Sequence, residues 1–168
     1  MQDTPPATLR PNVCAVLTDA GCGRVLVFRR VDSSLGAHRW QFPQGGQQAG
    51  ESPEQALRRE LREEIGTDAV AVLARLPEPI AYRYPPDVLQ ALHRKDPAKA
   101  RYAGQAQTWF LARLNDGPEA IHFDHQPPEF DAFEWVAPEE ALARVVPFKR
   151  AAYRQALTAF GLLPAGPV

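Results

Sequence analysis

Gly45-Gly46-Gln47-Gln48-Ala49-Gly50-Glu51-Ser52-Pro53-Glu54-Gln55-Ala56-Leu57-Arg58-Arg59-Glu60-Leu61-Arg62-Glu63-Glu64-Ile65-Gly66-Thr67 reads as a glycine-rich loop feeding one amphipathic helix. Ser52 is a good N-cap, Pro53 suits the first helical position, and Gln55 completes a capping box. Leu57, Leu61 and Ile65 recur every four residues and form a stripe to be buried. Gly66 ends the helix. At about 100° per residue, with Leu57 at zero, Leu61 and Ile65 fall at about 40° and 80°. Glu63, Glu60 and Glu64 fall at about 240°, 300° and 340°, one arc that abuts the stripe. Arg58, Arg62 and Arg59 fall on the other side, at about 100° to 200°.

A run such as RRELREE is ordinarily a solvated face laced with i,i+4 pairs. Here the signs are sorted rather than interleaved, and Glu60 and Glu64 are like charges one turn apart. Acids crowded at the edge of a core call for a cation. Oxygen-only ligands select a hard one, Mg²⁺ or Mn²⁺, and such ions commonly bridge phosphate oxygens of a substrate.

Outward from this helix the chain alternates without a regular βαβ rhythm. Strands are expected at Val13 to Leu17, Arg24 to Arg30, Trp40 to Phe42, Ala69 to Leu76, Ile80 to Tyr84, Gln107 to Leu114 and Phe133 to Val136. Val31 to His38, Gln44 to Gly50 and Pro85 to Arg101 read as loops, and residues 1–9 as a loose arm ahead of a single domain at 10–168. Two helices, Pro138 to Arg144 and Phe148 to Phe160, close the chain. The pattern favours a mixed α/β sandwich over a doubly wound sheet.

Composition sets the outer bounds. The 168 residues suit one core. Nineteen basic against 20 acidic residues give a formal charge of −1, which excludes a global basic field for gripping nucleic acid. Cys14 and Cys22 make no disulfide framework and read as small buried side chains in a reducing compartment. No signal peptide and no bilayer-spanning run is read, so the expected setting is the cytoplasm, without membrane contact, as a monomer.

Gly45, Glu51, Arg59, Glu60, Leu61, Glu63, Glu64 and Gly66 match the Nudix box, G-x5-E-x7-R-E-U-x-E-E-x-G-U, with U a bulky apolar residue. Seven fixed residues at this spacing coincide by chance about once in 10⁸ positions or fewer. Thr67 departs from the final U, though its methyl can still pack. Further matches follow in order: Arg10-Pro11-Asn12-Val13, Trp40 to Gly46, Gly104-Gln105, Gln107, Trp109-Phe110-Leu111, Pro128-Glu129-Phe130-Asp131, Trp135-Val136 and Phe148-Lys149-Arg150. The chain thus resembles the Nudix branch of bacterial RNA 5′-pyrophosphohydrolases and diadenosine polyphosphate hydrolases.

The resemblance implies a Nudix α/β/α sandwich with a mixed sheet, and an Mg²⁺-dependent hydrolase of phosphoanhydride bonds in which Mn²⁺ can substitute. Glu60, Glu63 and Glu64, joined by Glu129 from outside the box, become metal ligands, with Gly45 and Gly46 letting backbone approach metal or phosphate. Glu60 is the favoured general base. Glu51 and Arg59 become an ion pair that orients the loop. Arg30 and Phe148 match positions that clamp a nucleobase, although singly they read as a salt-bridged arginine and a core ring. Lys149, Tyr84 and Arg10 become phosphate or substrate contacts. Trp109 and Trp135 read as core, and the four histidines receive no role.

Diadenosine tetra- or pentaphosphate, cut to release ATP, is the expected substrate, with weaker pyrophosphate removal from 5′-triphosphorylated RNA. Thr108 stands where some RNA-acting relatives have lysine, and the Arg30–Trp40 loop is long enough to cover a second nucleoside. A house-cleaning nucleoside triphosphate or nucleotide-sugar pyrophosphohydrolase is the alternative enzyme, and a non-catalytic nucleotide- or RNA-binding domain the alternative outside enzymes.

Overall fold

The computed structural model describes residues 8–166, and nothing of the Ala100 side chain. Residues 1–7 of the expected arm lie outside the described residues. Leu9 and Arg10 already belong to the first strand.

Eight strands and four α-helices follow in chain order: β1 Leu9–Leu17, β2 Val25–Arg30, β3 Trp40–Gln41, β4 Gln44–Gly46, α1 Pro53–Ile65, β5 Val70–Arg75, β6 Ile80–Arg83, α2 Pro86–Lys95, β7 Gly104–Leu114, β8 Phe130–Val136, α3 Pro138–Arg144 and α4 Arg150–Ala159. One sheet runs β4-β1-β7-β5, with β6 also on β7; the other runs β3-β2-β8. β1 and β7 are parallel along their whole pairing, from Leu9 against Gly104 to Leu17 against Ala112. The other pairings are antiparallel, so the sheet is mixed.

Alternation along β1 and β7 explains the layers. Val13, Ala15 and Leu17, with Phe110 and Ala112, pack against Leu57, Leu61 and Ile65 of α1. Cys14 and Val16, with Trp109 and Leu111, pack against Tyr153, Ala156 and Leu157 of α4. The sheet is therefore sandwiched between helices. Each fully buried Leu or Ile of the α1 stripe contributes roughly 1.5–3 kcal/mol relative to exposure, enough to fix which side of α1 faces away from the core.

α1 has the caps its sequence specifies. Gln55 N donates to Ser52 Oγ at 3.2 Å, and Ser52 N donates to Gln55 Oε1 at 2.8 Å. Gly66 ends the helix at φ 79°, in the left-handed region that glycine tolerates. Added bulk there would also strike the His122 ring.

Several expectations need correction. The first strand begins at Leu9, before Val13, because its N-terminal half hydrogen-bonds the start of β7 rather than packing apolar side chains. Gln44–Gly46 is a strand rather than loop, paired with Asn12–Cys14. Val31–His38 holds a 3-10 turn over Ser33–His38. The stretch 85–101 contains helix α2 and a further 3-10 turn rather than continuous loop. Its apolar positions, Val88, Leu89 and Leu92, are helix-spaced but too few to outweigh the surrounding Pro and Lys. The last helix starts at Arg150, preceded by a 3-10 turn over Pro147–Lys149. Cys14 is buried but Cys22 is exposed, in a tight turn at φ 54°. No helix among the described residues is long and apolar enough to cross a membrane.

Candidate active site

The sheet edge formed by β4, the polar arc of α1 and the turn before α4 meet at one cleft of about 460 Å³. β4 lies beside β1 because Gln44, Gly45 and Gly46 pair with Cys14, Val13 and Asn12. That pairing sets β4 beside Glu60 and Glu64, with Gly45 against the Glu60 carboxylate and Gln44 N bonded to Glu64 Oε2. A Cβ on Gly45 would collide with the Glu60 carboxylate, and a Cβ on Gly46 with the Arg10 guanidinium. The two glycines thus admit side chains of this chain against the backbone.

The arginines are not all segregated from the acids. Arg59 reaches round the helix: Nε donates to Glu51 Oε2 at 2.9 Å, Nη2 to Gly46 O and to Glu51 Oε1 at 2.8 Å each, and Nη1 to Glu60 Oε1 at 2.7 Å. Its contact with Glu63 Oε2 is longer, at 3.4 Å. Arg59 therefore ties the loop entering α1 to the acids. Its hydrogen bonds hold the Glu51 carboxyl below the usual carboxylate range.

Glu64 has no such partner. It accepts one bond, from Gln44 N at 3.2 Å. Glu64 is half-buried and lines the cleft. Burial, then the charges of Glu60 and Glu129, push it well above the ordinary value. Burial also raises Glu60, against the opposing pull of Arg59. Lys149 is buried beside them, 7% exposed. Loss of solvation lowers it to about 8, and its Nζ donates to Gln44 Oε1 at 3.3 Å.

Among the described residues no three His, Cys, Asp or Glu side chains converge on a common point as a finished metal cage. Arg59 explains part of this, because it draws Glu60 and Glu63 toward itself. The donor set nonetheless fits a hard cation that keeps water and phosphate among its ligands. The set comprises the half-buried Glu64 carboxylate, a second acid at the Gly45 cradle, and Glu63 and Glu129, all lining the cleft.

Arg10, Arg30, Tyr84, Phe148 and Lys149 line the same cleft as Gly45, Glu60, Glu63, Glu64 and Glu129. Glu51 and Arg59 do not line it, and stand behind the loop. Phe148 leans on Tyr82 and Tyr84, ring centres 5.9 and 6.2 Å away, so it belongs to an aromatic wall more than to the closed core. Arg30 Nε is 3.4 Å from Glu129 Oε1, without forming a well-directed hydrogen bond.

Sequence reasoning missed an amide floor. Gln107 Nε2 donates to Asn12 Oδ1 at 2.9 Å and Gln44 Oε1 at 3.1 Å, and Tyr82 OH donates to Gln105 Oε1. The alternation of Gln105 and Gln107 along β7 was a signal, since two buried amides on one strand face require partners. Val88 and Leu92 of α2, Lys99 and His125 also reach the cleft. No residue of 31–39 lines it. Thr108 is buried and does not line the cleft. Trp109 is fully buried, whereas Trp135 is partly so, with Arg24 stacked 5.5 Å from its ring.

Comparison with known proteins agrees with this geometry. The NUDIX domain family matches residues 8–156.

The chain belongs to the Nudix family.

Similar Nudix proteins include an RNA pyrophosphohydrolase of Teredinibacter turnerae, 45% identical over 88% of this chain and 82% of its own. One from Acidiphilium cryptum is 43% identical over 87% and 86%. Among solved structures, an Ap4A hydrolase of C. elegans aligns at TM-score 0.61 with 20% identity, covering 90% of this chain and 97% of its own. The E. coli dihydroneopterin triphosphate pyrophosphohydrolase aligns at 0.59 with 19% identity, covering 90% and 99%. At such identities these two establish the Nudix fold alone. The family as a whole uses divalent cations.

Proposed function

We propose that this protein is an Mg²⁺-dependent pyrophosphohydrolase that removes pyrophosphate from 5′-triphosphorylated RNA and, at the same site, cleaves dinucleoside polyphosphates. One observation carries the reading: a single cleft joins the box carboxylates, a buried lysine and an aromatic wall faced by Arg30. It offers places for metal, polyphosphate and nucleobase together. The named relatives favour RNA ends as the main substrate, which reverses the order expected from the Arg30–Trp40 loop.

Glu60, Glu63, Glu64 and Glu129 would hold Mg²⁺ or Mn²⁺, which when bound neutralises polyphosphate and makes a coordinated water more acidic. Gly45 lets Glu60 reach the loop. The reaction places a water oxygen on one phosphorus and releases the bridging oxygen with the neighbouring phosphate. Glu60, oriented by Arg59, would take the water proton. Glu51 positions Arg59. Lys149 and Arg10 bind phosphate oxygens, and Arg30, Tyr84 and Phe148 hold the base. Because phosphoryl-type transfer depends on positioning and charge, no covalent intermediate on the protein is needed. With such a substrate the protein works in the cytoplasm, and as a monomer, since every proposed role lies within one chain.

The test is product release with Mg²⁺ from a panel of triphosphorylated RNA, diadenosine tetra- and pentaphosphate, nucleoside triphosphates and nucleotide sugars. RNA should yield pyrophosphate, and the dinucleotides ATP. Faster turnover of free triphosphates or nucleotide sugars than of either substrate would establish the house-cleaning alternative. Binding without turnover would establish a non-catalytic domain.

A further inference from the structure

A second groove, of about 730 Å³, opens beside the cleft and shares Arg10 and Lys99 with it. Its walls are the loop entering α1, over 47–51, and residues of the stretch 96–102. Of its lining residues only Arg10 and Glu51 have a role above, and the stretch 96–102 has none.

Its charges are unevenly answered. Glu51 is occupied by Arg59 at 2.8 and 2.9 Å, and Asp96 faces Lys99 at 3.9 Å. Among the described residues, neither Arg10 nor Arg101 lies within ion-pair distance of a carboxylate. Arg101 instead lies over the Tyr102 ring, 4.8 Å from its centre, with Nη2 bonded to the Tyr102 hydroxyl at 2.8 Å. Tyr102 is half-buried and its backbone is held at the start of β7, with Tyr102 N donating to Lys99 O at 3.1 Å. A half-buried tyrosine ring with a guanidinium beside it, held on its hydroxyl, offers flat groups on which an unstacked base can stack, and arginines with no carboxylate partner suit phosphodiester oxygens.

We infer that this groove carries the RNA chain beyond its 5′-terminal nucleotide, with Arg10 and Arg101 meeting phosphodiesters and the Arg101–Tyr102 pair stacking a base. The inference rests on the RNA reading above. It explains how a chain without a basic global field grips RNA: the cations are local and lie along a path that leaves the cleft at Arg10.

A length series tests it, using the full chain with Mg²⁺ and ATP, a triphosphorylated dinucleotide and a triphosphorylated single-stranded hexanucleotide. The readout is the ratio of kcat/KM for hexanucleotide over ATP. In the wild type this ratio exceeds one. Arg101→Ala and Tyr102→Leu each lower it by about five-fold or more, through KM, as loss of one stacked base requires. Arg101→Ala also makes log kcat/KM for the hexanucleotide less steep in log salt by about 0.7, one single-strand phosphate contact, and Arg101→Lys restores that slope. Arg101→Glu, on an exposed side chain that the fold does not need, lowers the ratio further. An unchanged ratio and slope in both Arg101→Ala and Arg101→Glu, with RNA still cleaved, overturns the groove and leaves the function standing. A wild type that cleaves ATP but neither RNA overturns both.

Discussion

Glu51 and Glu64 belong to one motif, at the entrance and the last turn of one helix, and the protein treats them in opposite ways. Glu51 receives three guanidinium bonds from Arg59 and one from Gln48 N, and its carboxyl is held low. Glu64 receives a single backbone bond, faces like charges, and is held high. A protein that needed both acids only for folding would pair both. The difference fits the proposed roles, Glu51 bracing the loop through Arg59 and Glu64 facing a cation that arrives with substrate.

The largest expected effect comes from removing the charge at the unsatisfied end. Glu64→Gln should reduce turnover roughly 10²- to 10⁴-fold, the range for loss of a charge-stabilising or proton-handling group. In EDTA the same change should stabilise. Because the folded value of Glu64 is raised, the folded protein favours its proton. The wild type is then relatively stable at low pH and loses that share as pH climbs from about 4.5, the ordinary value, through the raised one. The melting temperature of Glu64→Gln should match wild type near pH 4 and exceed it at pH 7 and above. Mg²⁺ should raise the wild type more than the variant. A variant that keeps full activity, or melts lower in EDTA at pH 7, breaks the comparison.

At the satisfied end the sign reverses. Arg59→Ala leaves Glu51, Glu60 and the Gly46 carbonyl without their donor and should cost roughly 2–3 kcal/mol, in the range for hydrogen bonds to charged groups. Since Glu51 has a depressed folded value, its pairing stabilises above pH 4.5 and fades as pH falls through that lower value. Urea unfolding at pH 7 and pH 3 should show the gap between wild type and variant shrinking in acid. A gap independent of pH would mean that Arg59 acts by packing.

Phe148→Ala probes the wall opposite the acids. Loss of a stacked base costs about 1–3 kcal/mol in binding, similar for adenine and guanine 5′ ends, and appears in KM. Phe148 also touches Tyr82 and Tyr84, so rates must be corrected for folded fraction. A loss of stability with KM unchanged would make it part of the core.

The helix and its acids were legible in sequence because capping, spacing and sign are local. So were the strands written as apolar runs, such as residues 13–17 and 25–28, which are buried along their length. Less was legible where the signal is long-range or weak. Gly45 and Gly46 read as loop, yet hydrogen bonds to a strand some thirty residues earlier make them β4. α2 buries no residue, so it lacks the full apolar stripe by which a helix announces itself. On the helical angles Arg59, at about 200°, already borders the acidic arc at Glu63, at about 240°; its reach to Glu60 and Glu51 was not legible, because the angles locate Cα atoms and not the end of a long side chain. The amide floor of Asn12, Gln44 and Gln107 needed three strands brought side by side.

The smallest expected effect lies next to Glu51 and tests whether the two ends are independent. Ser52 and Gln55 exchange two exposed hydrogen bonds that satisfy backbone donors at the start of α1. Ser52→Ala removes one of them and exposes an N–H to water, at a cost of about 1 kcal/mol. Glu51 remains clamped by Arg59, whose other bonds reach Gly46 and Glu60, so the loop should keep its register although the helix end frays. Thermal melts should show the loss, while kcat per folded molecule stays at the wild-type value. If kcat instead falls beyond the folded fraction, the first turn of α1 transmits its position to Glu60 and Glu64. The division between building and reacting acids would then lie within a single mechanical unit, with Arg59 alone unable to hold the loop in place.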